Sequence, residues 1–210
     1  DVMKNGGFDV VIGNPPYVRI QTLDKKQVDY FNKNYQSPTK NYDIYILFIE
    51  KGFKLLKEKG ILGLILPHKF FQGESGERIR KFIFENKALY RIVDFGTNQV
   101  FEDATTYTCL LFLQKKNNKE FYYKDFKLGE NFKDLSEIKF EKKSLDSLGF
   151  DKWNFSSDSI QKILTKIRSQ KHNFRTITKK IFKGSSTGND NIYLLELVKK
   201  GRDNSVVFSS

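Results

Sequence analysis

With 210 residues, 39% of them hydrophobic and 15% aromatic, the chain has enough apolar material for one α/β domain and part of a second, and global disorder is excluded. Lys and Arg number 37 against 25 Asp and Glu, a net charge of +12 that favours nucleic acid, an anionic surface or an acidic substrate as partner. The single Cys109 rules out an internal disulfide framework and a cysteine-cluster zinc site, His68 and His172 are too few for a histidine metal site, and no apolar run is long enough to span a membrane. Asp1-Val2-Met3-Lys4-Asn5 is not a signal peptide, so the expected setting is cytoplasmic.

The first element is Phe8–Ile12. Val10, Val11 and Ile12 form a continuous rather than alternating apolar run, the pattern of a parallel strand buried on both faces. Gly13-Asn14-Pro15-Pro16-Tyr17 ends it abruptly. Neither proline has a backbone N–H and each fixes φ, which excludes both a helix and a continued ladder, and Asn14 is pushed towards extended geometry. The result is a rigid lip at the carboxyl end of a strand, where open α/β sheets place their chemistry. Asn14 offers a side-chain carbonyl, Pro15 a backbone carbonyl and Tyr17 a flat ring, a set that suits a planar amine. Residues 18–42 read as a polar, tyrosine-rich loop of the kind that covers a site or touches substrate.

From Asp43 to Lys57 the period is helical, with Asp43 as N-cap, Ile44, Leu47, Phe48, Leu55 and Leu56 on one face, and Lys57-Glu58-Lys59-Gly60 as terminator. Ile61–Leu66 is a second buried strand stopped by Pro67. A helix follows from about Glu74 to Glu85, with Ile79, Phe82 and Ile83 inward. Tyr90–Phe95 and Thr106–Leu113 are the third and fourth strands, joined by a connection too short for a crossover helix and therefore antiparallel. Strand–helix–strand–helix–strand order predicts an α/β fold with a right-handed, mostly parallel sheet whose last pair is antiparallel.

Beyond Lys115, Phe121-Tyr122-Tyr123 suggests an added strand, and residues 127–155 lack a clear period and read as a linker or arm. A helix from Ser156 or Ser157 to about Ser169 is expected to bury Ile160, Ile163, Leu164 and Ile167. It leads through Gly184–Asn189 to Ile192-Tyr193-Leu194-Leu195, the opening of a further β-rich domain. Between Ile160 and Gly188 lie Lys162, Lys166, Arg168, Lys171, Arg175, Lys179, Lys180 and Lys183 and no acidic residue. These are phosphate-contacting candidates, with a solvated helix face and loop as the alternative.

Asn14-Pro15-Pro16-Tyr17 after a hydrophobic strand is similar to the catalytic motif of S-adenosylmethionine-dependent amino-methyltransferases. The downstream order sharpens the likeness: Asp43-Ile44-Tyr45 with Phe48, then Gly60 to Pro67, then Val100-Phe101-Glu102-Asp103 running into Thr106-Tyr107-Thr108. It resembles motifs V, VI and VIII of gamma-class DNA adenine-N6 methyltransferases, which include the methylating halves of single-chain type IIG restriction–modification enzymes. The resemblance covers roughly residues 8–116. It implies a partial Rossmann-like methyltransferase sheet of the later strands over 1–126, a linker or arm over 127–155, and a helix with the start of a DNA target-recognition domain over 156–210.

By that resemblance the partner is double-stranded DNA, the methyl donor is S-adenosylmethionine, and the target adenine is flipped out of the duplex. The Asn14 oxygen and the Pro15 carbonyl would accept the hydrogens of its amine, Pro16 would stiffen the lip, and Tyr17 and Phe101 would stack on the base from two sides. The alternative for Tyr17 is a ring that closes the turn, and for Phe101 a plain core position. Tyr45 is given no role. His68 and Lys69 follow a strand end and either face the site or are solvated, His172 is placed on the surface, and Asp94 and Asp103 form no defensible acid–base pair. No metal is expected.

The family's cofactor half lies upstream of the catalytic motif, and its glycine turn and acidic ribose ligand have no counterpart here. The chain alone is therefore expected to bind S-adenosylmethionine weakly, to be inactive, and to expose a sheet edge prone to self-association. Protein-glutamine methyltransferases and ribosomal-RNA amino-methyltransferases share the tetrapeptide and stay open as alternatives, as does a non-catalytic DNA-binding fragment.

Overall fold

The computed structural model describes residues 2–101, 106–130, 138–149 and 152–155, scattered helical residues between 160 and 170, and two strands near the end, 196–200 and 206–209. The chain divides into two units, Asp1–Ser156 and Ser157–Ser210.

The first unit is built on a six-stranded sheet in the order β1-β2-β4-β3-β5-β6. β1 (Phe8–Gly13) runs parallel to β2 (Leu56–Pro67), with Val10 opposite Ile61 and Gly13 opposite Leu64. β4 (Thr108–Gln114) lies between β2 and β3 (Leu89–Asp94), antiparallel to both. β5 (Glu120–Asp125) is parallel to β3, and β6 (Glu141–Ser144) closes the far side antiparallel to β5. The sheet is mixed, and β3 and β4 form the antiparallel pair that their short connection demands. The carboxyl ends of β1, β2, β3 and β5 share one edge with the start of β4.

Two helices, α2 (Tyr45–Lys54) and α3 (Glu77–Glu85), cover one face. Ile79, Phe82 and Ile83 of α3 are buried as their spacing requires. Leu62, Leu64 and Leu66 of β2 meet Ile46, Ile49 and Phe53 of α2 in the main core, and Phe53 sets its ring edge-on to Phe82 at 5.5 Å. A second cluster, Val93, Phe95 and Phe126 with Val100, Leu110, Ile138 and Phe140, forms apart from it.

Several expectations are corrected. β1 is not buried: Val10 is 57% and Ile12 79% exposed, because they share the face of β1 opposite Val11, and among the described residues only the Val11 face packs against the core. α2 starts at Tyr45 without a cap from Asp43, whose buried carboxylate instead pairs with Lys69. Its buried face runs through Tyr45, Ile46, Ile49 and Phe53, which leaves Phe48 46% exposed. Lys57–Gly60 belongs to β2, as an irregularity between the Phe8–Leu56 and Val10–Ile61 pairs where Lys59 takes a φ of 67°. Glu74–Gly76 is a 3-10 turn ahead of α3. Residues 18–42 carry a helix of their own, α1 (Lys25–Asn34).

The second half of the 127–155 segment packs into the first unit. β6 pairs with β5, Trp153 is buried against Phe70 and Phe71 while its backbone N–H donates to the Phe71 carbonyl at 2.8 Å, and Phe155 stacks on Tyr123 at 4.5 Å. In the second unit β7 (Glu196–Lys200) pairs antiparallel with β8 (Val206–Ser209). Ile160, Ile163 and Ile167, expected inward, are exposed, since no described surface of that unit covers them; Leu164 and Ile192–Leu195 lie outside the described residues.

Two buried polar groups set the path of the chain before and after α2. Glu50 is fully buried in α2, and its carboxylate accepts from the N–H groups of Gln36 (3.1 Å) and Ser37 (2.8 Å) and from Lys54 (2.5 Å). Arg80 of α3 donates to the carbonyls of Phe70 (2.7 Å) and Gly73 (2.8 Å). This turn passes so close to α3 that a Cβ on Gly76 would fall 2.1 Å from the Phe70 carbonyl oxygen. Gly76→Ala is therefore expected to destabilise the protein by about 1–3 kcal/mol, read as a lower urea midpoint at unchanged slope.

Candidate active site

The lip stands as the sequence requires. Asn14 is exposed, Pro15 is buried, Pro16 is exposed and Tyr17 is half-buried. Among the described residues none hydrogen-bonds the Asn14 side chain or the Pro15 carbonyl at the end of β1. The Tyr17 hydroxyl donates to the carbonyl of Ile65 at 3.2 Å, which ties the ring to β2. Burial, with Cys109 adding to it, pushes the Tyr17 phenol up to about 12, so the ring stays neutral and its O–H remains a donor.

Behind Tyr17 stands Tyr45, buried and edge-on at 6.3 Å with an interplanar angle of 81°. Tyr45 in turn meets Phe70 edge-on at 6.3 Å. Its phenol is raised far above the ordinary range, first by burial and then by Asp43. Tyr45 therefore acts as a packing wall that fixes the tilt of Tyr17. Tyr45 has no role assigned from sequence, since no local signal says which ring it packs against.

Further along the same edge His68 Nδ1 lies 2.7 Å from Asp94 Oδ1, and that oxygen also accepts the Gly96 N–H at 2.9 Å. His68 is thus held by a carboxylate rather than solvated. The pairing could not be read locally, because the two residues end different strands. With Gln72, Tyr123, Asp125 and Phe155 they line a cleft of about 380 Å³ that does not include Asn14 or Tyr17.

Phe101 is half-buried in the loop between β3 and β4, at the edge that carries the lip, and makes no described contact with Tyr17. Asp103 lies outside the described residues. So do Lys162, Arg168, Lys171, Arg175, Lys179, Lys180 and Lys183; Lys166 is described and exposed. Among the described residues no group of three His, Cys, Asp or Glu is placed to hold a metal ion, and no helix is long and apolar enough to cross a membrane.

The sheet is mixed, with one antiparallel strand returning inside it and the lip at the end of an outer strand. The chain matches the type IIG restriction endonuclease BpuSI with a TM-score of 0.54 at 16% identity, over 79% of this chain and 23% of that one. Residues 1–101 match the Eco57I restriction-modification methylase family.

Among curated proteins, the type II restriction enzyme and methyltransferase RM.Eco57I of Escherichia coli is 43% identical over 159 residues, covering 72% of this chain and 16% of that protein. The type II methyltransferase M.BstVI of Geobacillus stearothermophilus is 35% identical over 111 residues, 52% of this chain and 20% of that protein. The chain thus spans a fifth or less of the length of these two relatives.

Proposed function

We propose that the complete protein is a site-specific DNA methyltransferase of a restriction–modification system, which methylates the exocyclic N6 amine of an adenine turned out of the duplex. The observation that carries this reading is the lip: two acceptors, Asn14 and the Pro15 carbonyl, beside an aromatic ring tethered to the neighbouring strand. An adenine amine is a poor nucleophile because its lone pair is delocalised into the ring. Acceptors that take its two hydrogens favour the pyramidal nitrogen of the transition state over the planar ground state. Tyr17 supplies a stacking face, worth about 1–3 kcal/mol per base, which offsets part of the unstacking. Phe101, on the loop at the same edge, is assigned the second face.

S-adenosylmethionine supplies an activated methyl group when bound. The cleft along this edge is walled by His68, Asp94 and Asp125 and does not include Asn14. Donor binding is assigned to the complete protein, and this chain alone is expected to be inactive.

The test is incubation of the complete protein with duplex DNA and methyl-labelled S-adenosylmethionine, followed by digestion to nucleosides. Label in N6-methyladenine is expected. Label on a protein glutamine or in ribosomal RNA, with none in DNA, would overturn the reading.

A further inference from the structure

The segment between Tyr17 and α2 leaves the candidate site and comes back to it. The Val18 carbonyl accepts the Ile44 N–H at 2.9 Å, the Ile20 N–H donates to the Tyr42 carbonyl at 3.0 Å, and Arg19 bridges Asp43 as an antiparallel pair. Lys69 holds Asp43 from the 3-10 turn that follows β2. Both ends of the segment are therefore pinned beside the lip, and its tip carries α1.

α1 has two distinct sides. Val28, Phe31 and Tyr35 pack inward against the core. Lys26, Tyr30 and Lys33, spaced i, i+4 and i+7, form one stripe on the opposite side. All three are exposed, Tyr30 at 58%. Arg19, Lys25, Lys26 and Lys33 have no ion-pair partner among the described residues. Of the acids in this segment, Asp43 is taken up by Lys69, Asp24 precedes the helix, and Asp29 lies to one side of the stripe, between it and Lys25. A ten-residue helix is marginal in isolation, so the packed inner side is what fixes the outer cations in space.

A tyrosine hydroxyl between two unpaired lysines, on a helix pinned next to an amine-binding lip, suits a phosphate backbone. Lysines neutralise phosphates with release of counterions, and tyrosine can donate to a phosphate oxygen. We infer that the outer face of α1 is a contact for the sugar–phosphate backbone of duplex DNA, one that holds the duplex beside the lip. The inference rests on the DNA reading above.

The test is binding of the complete protein, and of its K26Q/K33Q double variant, to a fluorescein-labelled mixed-sequence duplex at salt from about 50 to 200 mM. Each phosphate contact contributes about 0.9 to the slope of log K against log salt, so the fall in affinity over this range shrinks about tenfold in the double variant. The control K142Q, on the far side of the sheet, leaves the slope unchanged. A double variant with the wild-type slope overturns the inference. A complete protein whose binding shows the α1-dependent slope but which methylates no adenine supports the surface and overturns the function proposed above.

Discussion

Asn14→Ala in the complete protein is expected to lower kcat for methyl transfer by about 10²–10³-fold, the loss seen when one preorganised polar group facing a transition state is removed. That corresponds to about 2.7–4 kcal/mol of transition-state stabilisation. The affinity for DNA should hardly change, because one acceptor on a single base is a small part of a duplex interface dominated by phosphate contacts. Stability should be unaffected, since the Asn14 side chain is exposed and no described residue hydrogen-bonds it. Asn14→Asp is the informative companion: it keeps an acceptor at the same place and should lose less than Asn14→Ala. Single-turnover rates with a saturating duplex, alongside melting temperatures, separate these effects. Equal loss in both variants, or a loss confined to KM, would count against Asn14 as the acceptor that reshapes the amine.

The second large effect concerns folding. Glu50→Ala should destabilise the protein by about 2–4 kcal/mol, because the buried Ser37 N–H and the Gln36 N–H lose their acceptor and a buried group left unpaired costs about 1–3 kcal/mol. Lys54 is half-exposed and can turn to solvent, so its share of the loss is small. Burial alone would push the Glu50 carboxyl up, but the hydrogen bonds from Lys54, Ser37 and Gln36 outweigh it and hold the group below the usual carboxylate range. The sign follows. A group whose folded-state value is depressed contributes stability above its unfolded value, about 4.3, and loses that contribution as the pH falls through the folded value. Wild-type stability should therefore drop on acidification through this range by more than that of Glu50→Gln. Denaturant midpoints at neutral and acid pH give the comparison, and parallel pH curves for the two proteins would refute the assignment.

Much of this fold was legible from period and punctuation. The inward face of α3 follows from the spacing of Ile79, Phe82 and Ile83, and the antiparallel β3–β4 pair from the length of its connection. The lip followed from two prolines after a β-branched run. What escaped depends on partners remote in sequence. Val10 and Ile12 look like interior residues, but their exposure depends on what packs over that face of the sheet, which no local pattern records. Asp43 has the right chemistry for a helix cap and makes an ion pair with Lys69 instead. The helix α1 was hidden because Val28, Phe31 and Tyr35 are its inward apolar residues and the rest of it is polar. Trp153 reaches the core after a stretch with no period at all.

The place of β4 has a consequence for how the protein is made. It follows β3 in the sequence, yet it sits between β2 and β3, and its Leu111 lies opposite Leu64 of β2 on one side and Ile92 of β3 on the other. Until Gln114 has emerged, β2 and β3 each present an open inner edge with no strand to join them. The sheet therefore cannot grow strand by strand behind synthesis and must close in one step when β4 slots in. Such non-local closure is slow, and it leaves unpaired edges exposed while it waits. The interval between completing β3 and completing β4 is when the nascent chain is most exposed to mispairing.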